Sequence, residues 1–211
     1  MEILPTASIR YARVLLGGYL LCWVFLAYKP LYPDDWLLEN VLVFLSLPVA
    51  VYSHRKIGHS KLALTALFAF MCLHAIGAHY TYAAVPYREW LGLEIDGRNH
   101  YDRFVHFLYG LLLMPVYREI FTRMTVLTGL WSFFVPVTFV MAHSEAYEII
   151  EWQAALRFGG DLGQAYLGTQ GDIWDAQKDS VAAAIGAVMG WVLYTAALRW
   201  GRNRGNQDRA T

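Results

Sequence analysis

The run Asp179-Ser180-Val181-Ala182-Ala183-Ala184-Ile185-Gly186-Ala187-Val188-Met189-Gly190-Trp191-Val192-Leu193-Tyr194-Thr195-Ala196-Ala197-Leu198 decides the fold: one charge at its start, none after it, then Arg199. A helix crossing the hydrocarbon core needs about 20 predominantly apolar residues, and this run supplies them. Similar runs recur upstream, giving expected spans at 9–28, 36–53, 61–82, 103–121, 124–145 and 179–198. They leave no room for a separate soluble domain, so 1–211 reads as one all-α integral membrane domain, a six-helix transmembrane bundle. Composition agrees: 57% of the residues are hydrophobic and 16% charged, where a soluble domain carries about 25% charged residues.

The net charge is zero, so no basic surface calls for nucleic acid. Cys22 and Cys72 lie within apolar runs and read as small buried hydrophobes. The first run passes through Cys22-Trp23-Val24-Phe25-Leu26 without a small-x-small cleavage site, so it reads as a retained helix. Orientation follows from lysine and arginine placement. One side gathers Arg10, Arg13, Arg55, Lys56, Lys61, Arg118, Arg123, Arg199, Arg202, Arg204 and Arg209; the other has Lys29, Arg88, Arg98, Arg103, Arg157 and Lys178. The richer side is expected in the cytoplasm, with both termini on it. Tryptophans such as Trp36, Trp90, Trp131 and Trp152 read as interfacial anchors. Two long outer connections follow, 83–102 and 146–178. The second holds Gly159-Gly160-Asp161 and Gly168-Thr169-Gln170-Gly171, whose spacing fits turns rather than a phosphate-binding loop.

Ionisable residues in or beside a span are costly and default to functional candidates. Here they fall at one end of their helices: His74 and His79, Asp102 and His106, Glu145, Glu148 and Glu151, then Asp172, Asp175 and Asp179. The expected topology brings all of them to the outer side. Asp102 and His106 are four apart and share a helix face. The three aspartates, at i, i+3 and i+7, make one acidic stripe if helical. His74 and His79 are five apart, so only one of them can face the cluster. Converging carboxylates repel, and a divalent cation removes that cost. Asp102, His106, Glu148, Asp175 and Asp179 are the candidate ligands. The bland alternative pairs the acids with Arg103, Lys178 and the histidines, leaving Glu151 and Asp172 as solvated loop residues. Ala182, Gly186 and Gly190 form a small-residue stripe suited to helix packing. His54 and His59 read as solvated surface of a short basic loop.

These motifs resemble the YjdF-like family of bacterial inner-membrane proteins. The matching residues are His74…His79-Tyr80, Tyr101-Asp102-Arg103-x-x-His106-Phe107, Ser144-x-x-x-Tyr147-Glu148-x-x-Glu151-Trp152 and Gln170-Gly171-Asp172-x-Trp174-Asp175-x-x-x-Asp179. The resemblance implies an inner-membrane location and brings no activity. A fainter similarity links the Asp102-Arg103-x-x-His106-Phe107 helix to VanZ-like membrane proteins, although Asp179 stands where those carry an asparagine.

The leading functional expectation is a metal-dependent membrane enzyme at the outer leaflet, acting on a lipid-linked or phosphorylated group. Glu145 or His79 would be the general base for a metal-bound water. The rivals are a metal or proton-coupled transporter, which needs polar residues continuing to the cytoplasmic half of the bundle where spans one and two offer almost none, and a non-catalytic envelope assembly or stress protein.

Overall fold

The computed structural model describes residues 4–93, 97–158, 160 and 167–207. Its described residues form seven helices: α1 (Ile9–Leu26), α2 (Pro33–Ile57), α3 (Lys61–Tyr80), the short α4 (Tyr87–Trp90), α5 (Tyr101–Met124), α6 (Trp131–Phe158) and α7 (Asp175–Gln207). An isolated bridge between Thr6 and Ser60 is the sole extended pairing among them. Gly159, Asp161 and Arg209 lie outside the described residues, as do the side chains of Arg202 and Arg204.

Local signals place the helix ends. Ser8 and Ser60 cap α1 and α3, accepting from the amides of Tyr11 and Ala63, and Pro33 opens α2 where its missing N–H costs nothing. Pro48, Pro115 and Pro136 lie inside α2, α5 and α6, as neighbouring helices permit in membrane bundles. Five helices are long and apolar enough to cross a membrane: α1, α2, α3, α5 and α7. α6 is 28 residues long, and its outer half carries the glutamates. Large apolar side chains such as Leu21, Phe25, Leu45, Val49, Ile185 and Leu193 stand more than half exposed on these helices, the pattern of a surface made for lipid rather than water.

The centre is a close pairing of α5 with α7. A Cβ at Gly110 would run into the carbonyl oxygen of Ala183, one at Gly186 into that of Phe107, and one at Gly190 would lie 2.5 Å from that of Leu111. The small-residue stripe is therefore helix packing, and its partner is α5. Contacts advance together along both chains, from Arg103 with Asp179 to Glu119 with Tyr194, so the two helices run parallel. Buried Tyr109, Leu113, Met114, Val140, Ala183 and Ala187 fill the core between α5, α6 and α7. α3 runs antiparallel to α5 and joins it at both ends, through Tyr101 to the Leu73 carbonyl and through Ser60 to Glu119.

Candidate functional site

Parallel packing puts the N-terminal first turns of α5 and α7 side by side, and both carry aspartates there. Helix N-termini are electropositive and favour anions, so the placement is physically sound for Asp102, Asp175 and Asp179. One oxygen from each of these three lies within 4.8 Å of the others, a group that could hold a metal ion. His106 follows Asp102 by one turn; its Nε2 stands 3.7 Å from Asp102 Oδ1 and 3.3 Å from Glu148 Oε1 on α6. Its Nδ1 pairs with the Ser144 hydroxyl at 3.2 Å. Asp102, His106, Glu148, Asp175 and Asp179 are thus brought to one place.

Guanidiniums already hold part of this cluster. Arg103 reaches Asp175 at 2.7 Å, Asp179 at 3.2 Å and Asp172 at 3.3 Å, and Arg98 reaches Asp175 at 2.5 Å. Arg98 comes from the 83–102 connection and also bonds the Thr169 carbonyl. Asn99 and Gln170 exchange two hydrogen bonds of 2.8 and 2.9 Å. The outer connections therefore clasp each other over the cluster, with Gly168 and Gly171 at positive φ making the turns. Asp172 lies at the rim, and its carboxyl is held down at about 2, first by the Lys178 ammonium and then by the Trp174 amide. His100, at the α5 N-cap, is held below its ordinary value by burial and by Arg103 and Arg98.

α2 contributes acids that sequence reasoning missed. Asp35, Glu39 and Asn40, at the end of α2 beside the cluster, are each no more than 2% exposed. Glu39 accepts from the Tyr147 hydroxyl of α6 at 2.9 Å. Glu151, expected in solvent, is 7% exposed beside Glu148, Asp102 and Glu39. Asp35 and Glu39 repeat the four-residue spacing of Asp102 and His106, and that was the available signal. Among the described residues, the carboxylates of Asp35, Glu39, Asp102, Glu148, Glu151, Asp175 and Asp179 gather here, and Arg98 and Arg103 pair with Asp175 and Asp179.

The suggested general bases sit elsewhere. His79 Nδ1 donates to the Leu26 carbonyl at 2.7 Å, tying the ends of α1 and α3 together. Glu145 accepts from the Ser180 hydroxyl at 2.8 Å on an exposed flank. Steps of three residues each turn a helix back by about 60°, so Glu145 rotates away while Glu148 and Glu151 turn inward. His74, five residues from His79, is the histidine that faces the interior. Its Nδ1 bonds the Tyr82 hydroxyl, while Nε2 is buried without a hydrogen-bond partner.

Asp102, His106, His74, Tyr82, Ser144 and Tyr147 form one end of a cavity of about 1060 Å³ that continues along α5 to Tyr117 and Ile120. Its other walls come from α1, α2, α3 and α6, and they are mostly apolar. Midway, Tyr109 bonds both the Tyr117 hydroxyl at 3.0 Å and His143 Nδ1 at 2.5 Å.

Five helices long and apolar enough to cross a membrane, with a polar cluster at one end, define a multi-pass membrane protein. Residues 11–200 match the family described as "Predicted membrane protein (DUF2238)", and the chain belongs to that family. It is 37% identical over 158 residues to Inner membrane protein YjdF of Escherichia coli (strain K12), covering 72% of this chain and 74% of that protein. The resemblance to YjdF-like proteins is therefore real, and an inner-membrane, multi-pass setting fits both the relative and the five apolar helices. No solved structure matches the chain.

Proposed function

We propose that this protein is a metal-dependent membrane enzyme whose site lies at the outer leaflet of a six-span bundle and acts on a lipid-linked phosphorylated group. The sixth crossing is α6. Because α5 and α7 run parallel, the chain must return between them, and the 28 residues of α6 extend about 42 Å, enough for a full crossing. An even number of crossings leaves both termini on one side, and the arginine excess at that end favours the cytoplasm.

One observation carries the functional reading: a cluster of carboxylates in excess over its cations opens, through Asp102 and His106, into a largely apolar cavity. Asp102, Asp175 and Asp179 would hold the cation, with His106 and Glu148 completing its surroundings. A divalent cation there would lower the pKa of a bound water and offset phosphate charge. The chain's own groups do the rest. Glu148, facing His106 Nε2, is placed to take a proton in preference to Glu145 or His79. Ser144 orients the imidazole through Nδ1, and Arg98 and Arg103 fix the carboxylates of Asp175 and Asp179. Metal analysis of detergent-purified protein tests this: a divalent ion bound to the wild type and lost from Asp179→Asn is expected. If neither holds metal, the cluster is an ion-paired lock and the enzyme reading fails.

A carrier is the second reading, favoured by the cavity's reach to His54 and His59 at the opposite end. Cation flux into proteoliposomes that stops in Asp102→Asn would replace the enzyme reading with this one.

A further inference from the structure

We infer that the substrate class for this site is a phosphorylated lipid with a single hydrocarbon chain longer than one leaflet, its head at Asp102, His106 and His74 and its chain along the cavity. The inference rests on the proposed cation site, because Arg98 and Arg103 are already paired with Asp175 and Asp179 and an anionic head would otherwise face an excess of carboxylates.

Length decides the chain. The cavity follows α5 from Asp102 to Ile120, about 27 Å of helix rise, while the whole hydrocarbon core is about 30 Å thick. A ligand that fills it must pass the bilayer midplane, which the tail of an ordinary leaflet lipid has no reason to do. At about 1060 Å³ the cavity is also at the upper end of small-molecule sites, which run to roughly 1,000 Å³.

Chemistry decides the two ends. At the head end His74, 7% exposed, lines the cavity beside Asp102 and His106, with Nδ1 bonded to Tyr82 and the Glu39 main chain within reach of its ring. At mid-depth Tyr109 ties up Tyr117 and His143, and the Tyr19 hydroxyl stands alone on an otherwise apolar wall. The wall there offers a chain little but apolar surface. The side is open as well. α2 buries Asp35, Glu39, Asn40 and Val43 near its outer end, whereas Leu45 and Val49 line the cavity yet stand 65% and 64% exposed. A chain can therefore slip in or out sideways past the inner half of α2 without its head crossing the bundle.

The test compares binding of decyl phosphate and a polyisoprenyl phosphate to the full-length protein in detergent, by native mass spectrometry, with manganese titrated separately. The long chain is expected to bind on the order of tenfold more tightly, and Ser46→Trp, which plugs the cavity wall away from the acids, should erase that advantage. Equal binding of the two, or an advantage that survives Ser46→Trp in a folded variant, overturns the inference. Manganese binding with neither phosphate bound overturns it too, while leaving the cation site standing. A chain-length preference without manganese binding leaves the chain's path along the cavity but overturns the placing of a phosphate head at Asp102 and His106.

Discussion

The two ends of α5 carry buried acids in opposite conditions. At the C-terminal end Glu119 is fully buried, and its oxygens accept from the Ser60 amide and the Tyr194 hydroxyl, each at 2.9 Å, and from His59 Nδ1 at 3.2 Å. His59 passes its other nitrogen to Ser53, and Arg118 stacks on the Tyr194 ring at 4.7 Å. At the N-terminal end, carboxylates crowd together with few cations, and Glu148 Oε1 has only the His106 Nε2 contact at 3.3 Å. Burial of an acid is thus no sign of function by itself. A carboxylate whose partners are complete is a clamp, here joining α3, α5 and α7; a surplus of carboxylates beside a cavity is a site waiting for something else.

Breaking the clamp should have the largest effect. Glu119→Leu strands the Ser60 amide, the Tyr194 hydroxyl and His59 in the interior, at about 3–5 kcal/mol, and denaturation in detergent should register that loss whether or not metal is present. The outer cluster should respond to metal instead. A cation at about 100 times its Kd stabilises the wild type by about 2.7 kcal/mol, so adding manganese should raise Tm, and Asp179→Asn should abolish most of the rise. If chelator leaves the wild-type Tm unchanged, the contrast between the ends disappears and both are clamps. Gly186→Val attacks the frame that holds both. Overpacking against the Phe107 carbonyl should cost about 1–3 kcal/mol and, by prying Asp179 from Asp102, should weaken manganese binding as well. The smallest effect belongs to the rim. Asp172, held at about 2, lies below its unfolded value near about 3.9. Its contribution is therefore present above pH ~4 and lost as pH falls toward ~2. Asp172→Asn should flatten the pH dependence of Tm in that window, with a small drop in Tm near neutrality and none below pH ~2.

Five of the spans were legible because a membrane imposes length and apolarity together, and the glycine stripe of α7 declared a packing face. The partner of that face was not legible: spacing within one helix says nothing about which helix comes close. Asp102, His106, Glu148, Asp175 and Asp179 were legible from their shared ends and helical spacing. Asp35 and Glu39 carried the same i, i+4 signal and were overlooked because they precede and interrupt the second apolar run. His59 misled for a related reason. Its basic neighbours suggest a solvated loop, but only Gly58, His59 and Ser60 join α2 to α3, and so tight a connection presses the imidazole onto Glu119, where it is 1% exposed.

The parallel seating of α5 against α7 also sets an order of events as the chain is made. α5 enters the bilayer first, bringing Arg103 and the narrow groove over Gly110, and must wait there while α6 is threaded back. Until the last helix arrives, Arg103 has none of its three aspartates and Glu119 lacks the Tyr194 hydroxyl. Assembly is therefore completed from the C-terminal end, after insertion, as separately stable helices come together within lipid. A ribosome stalled ahead of Asp175 would leave a bundle with both of its ends unfinished, a form that membrane quality control could recognise by its stranded charges.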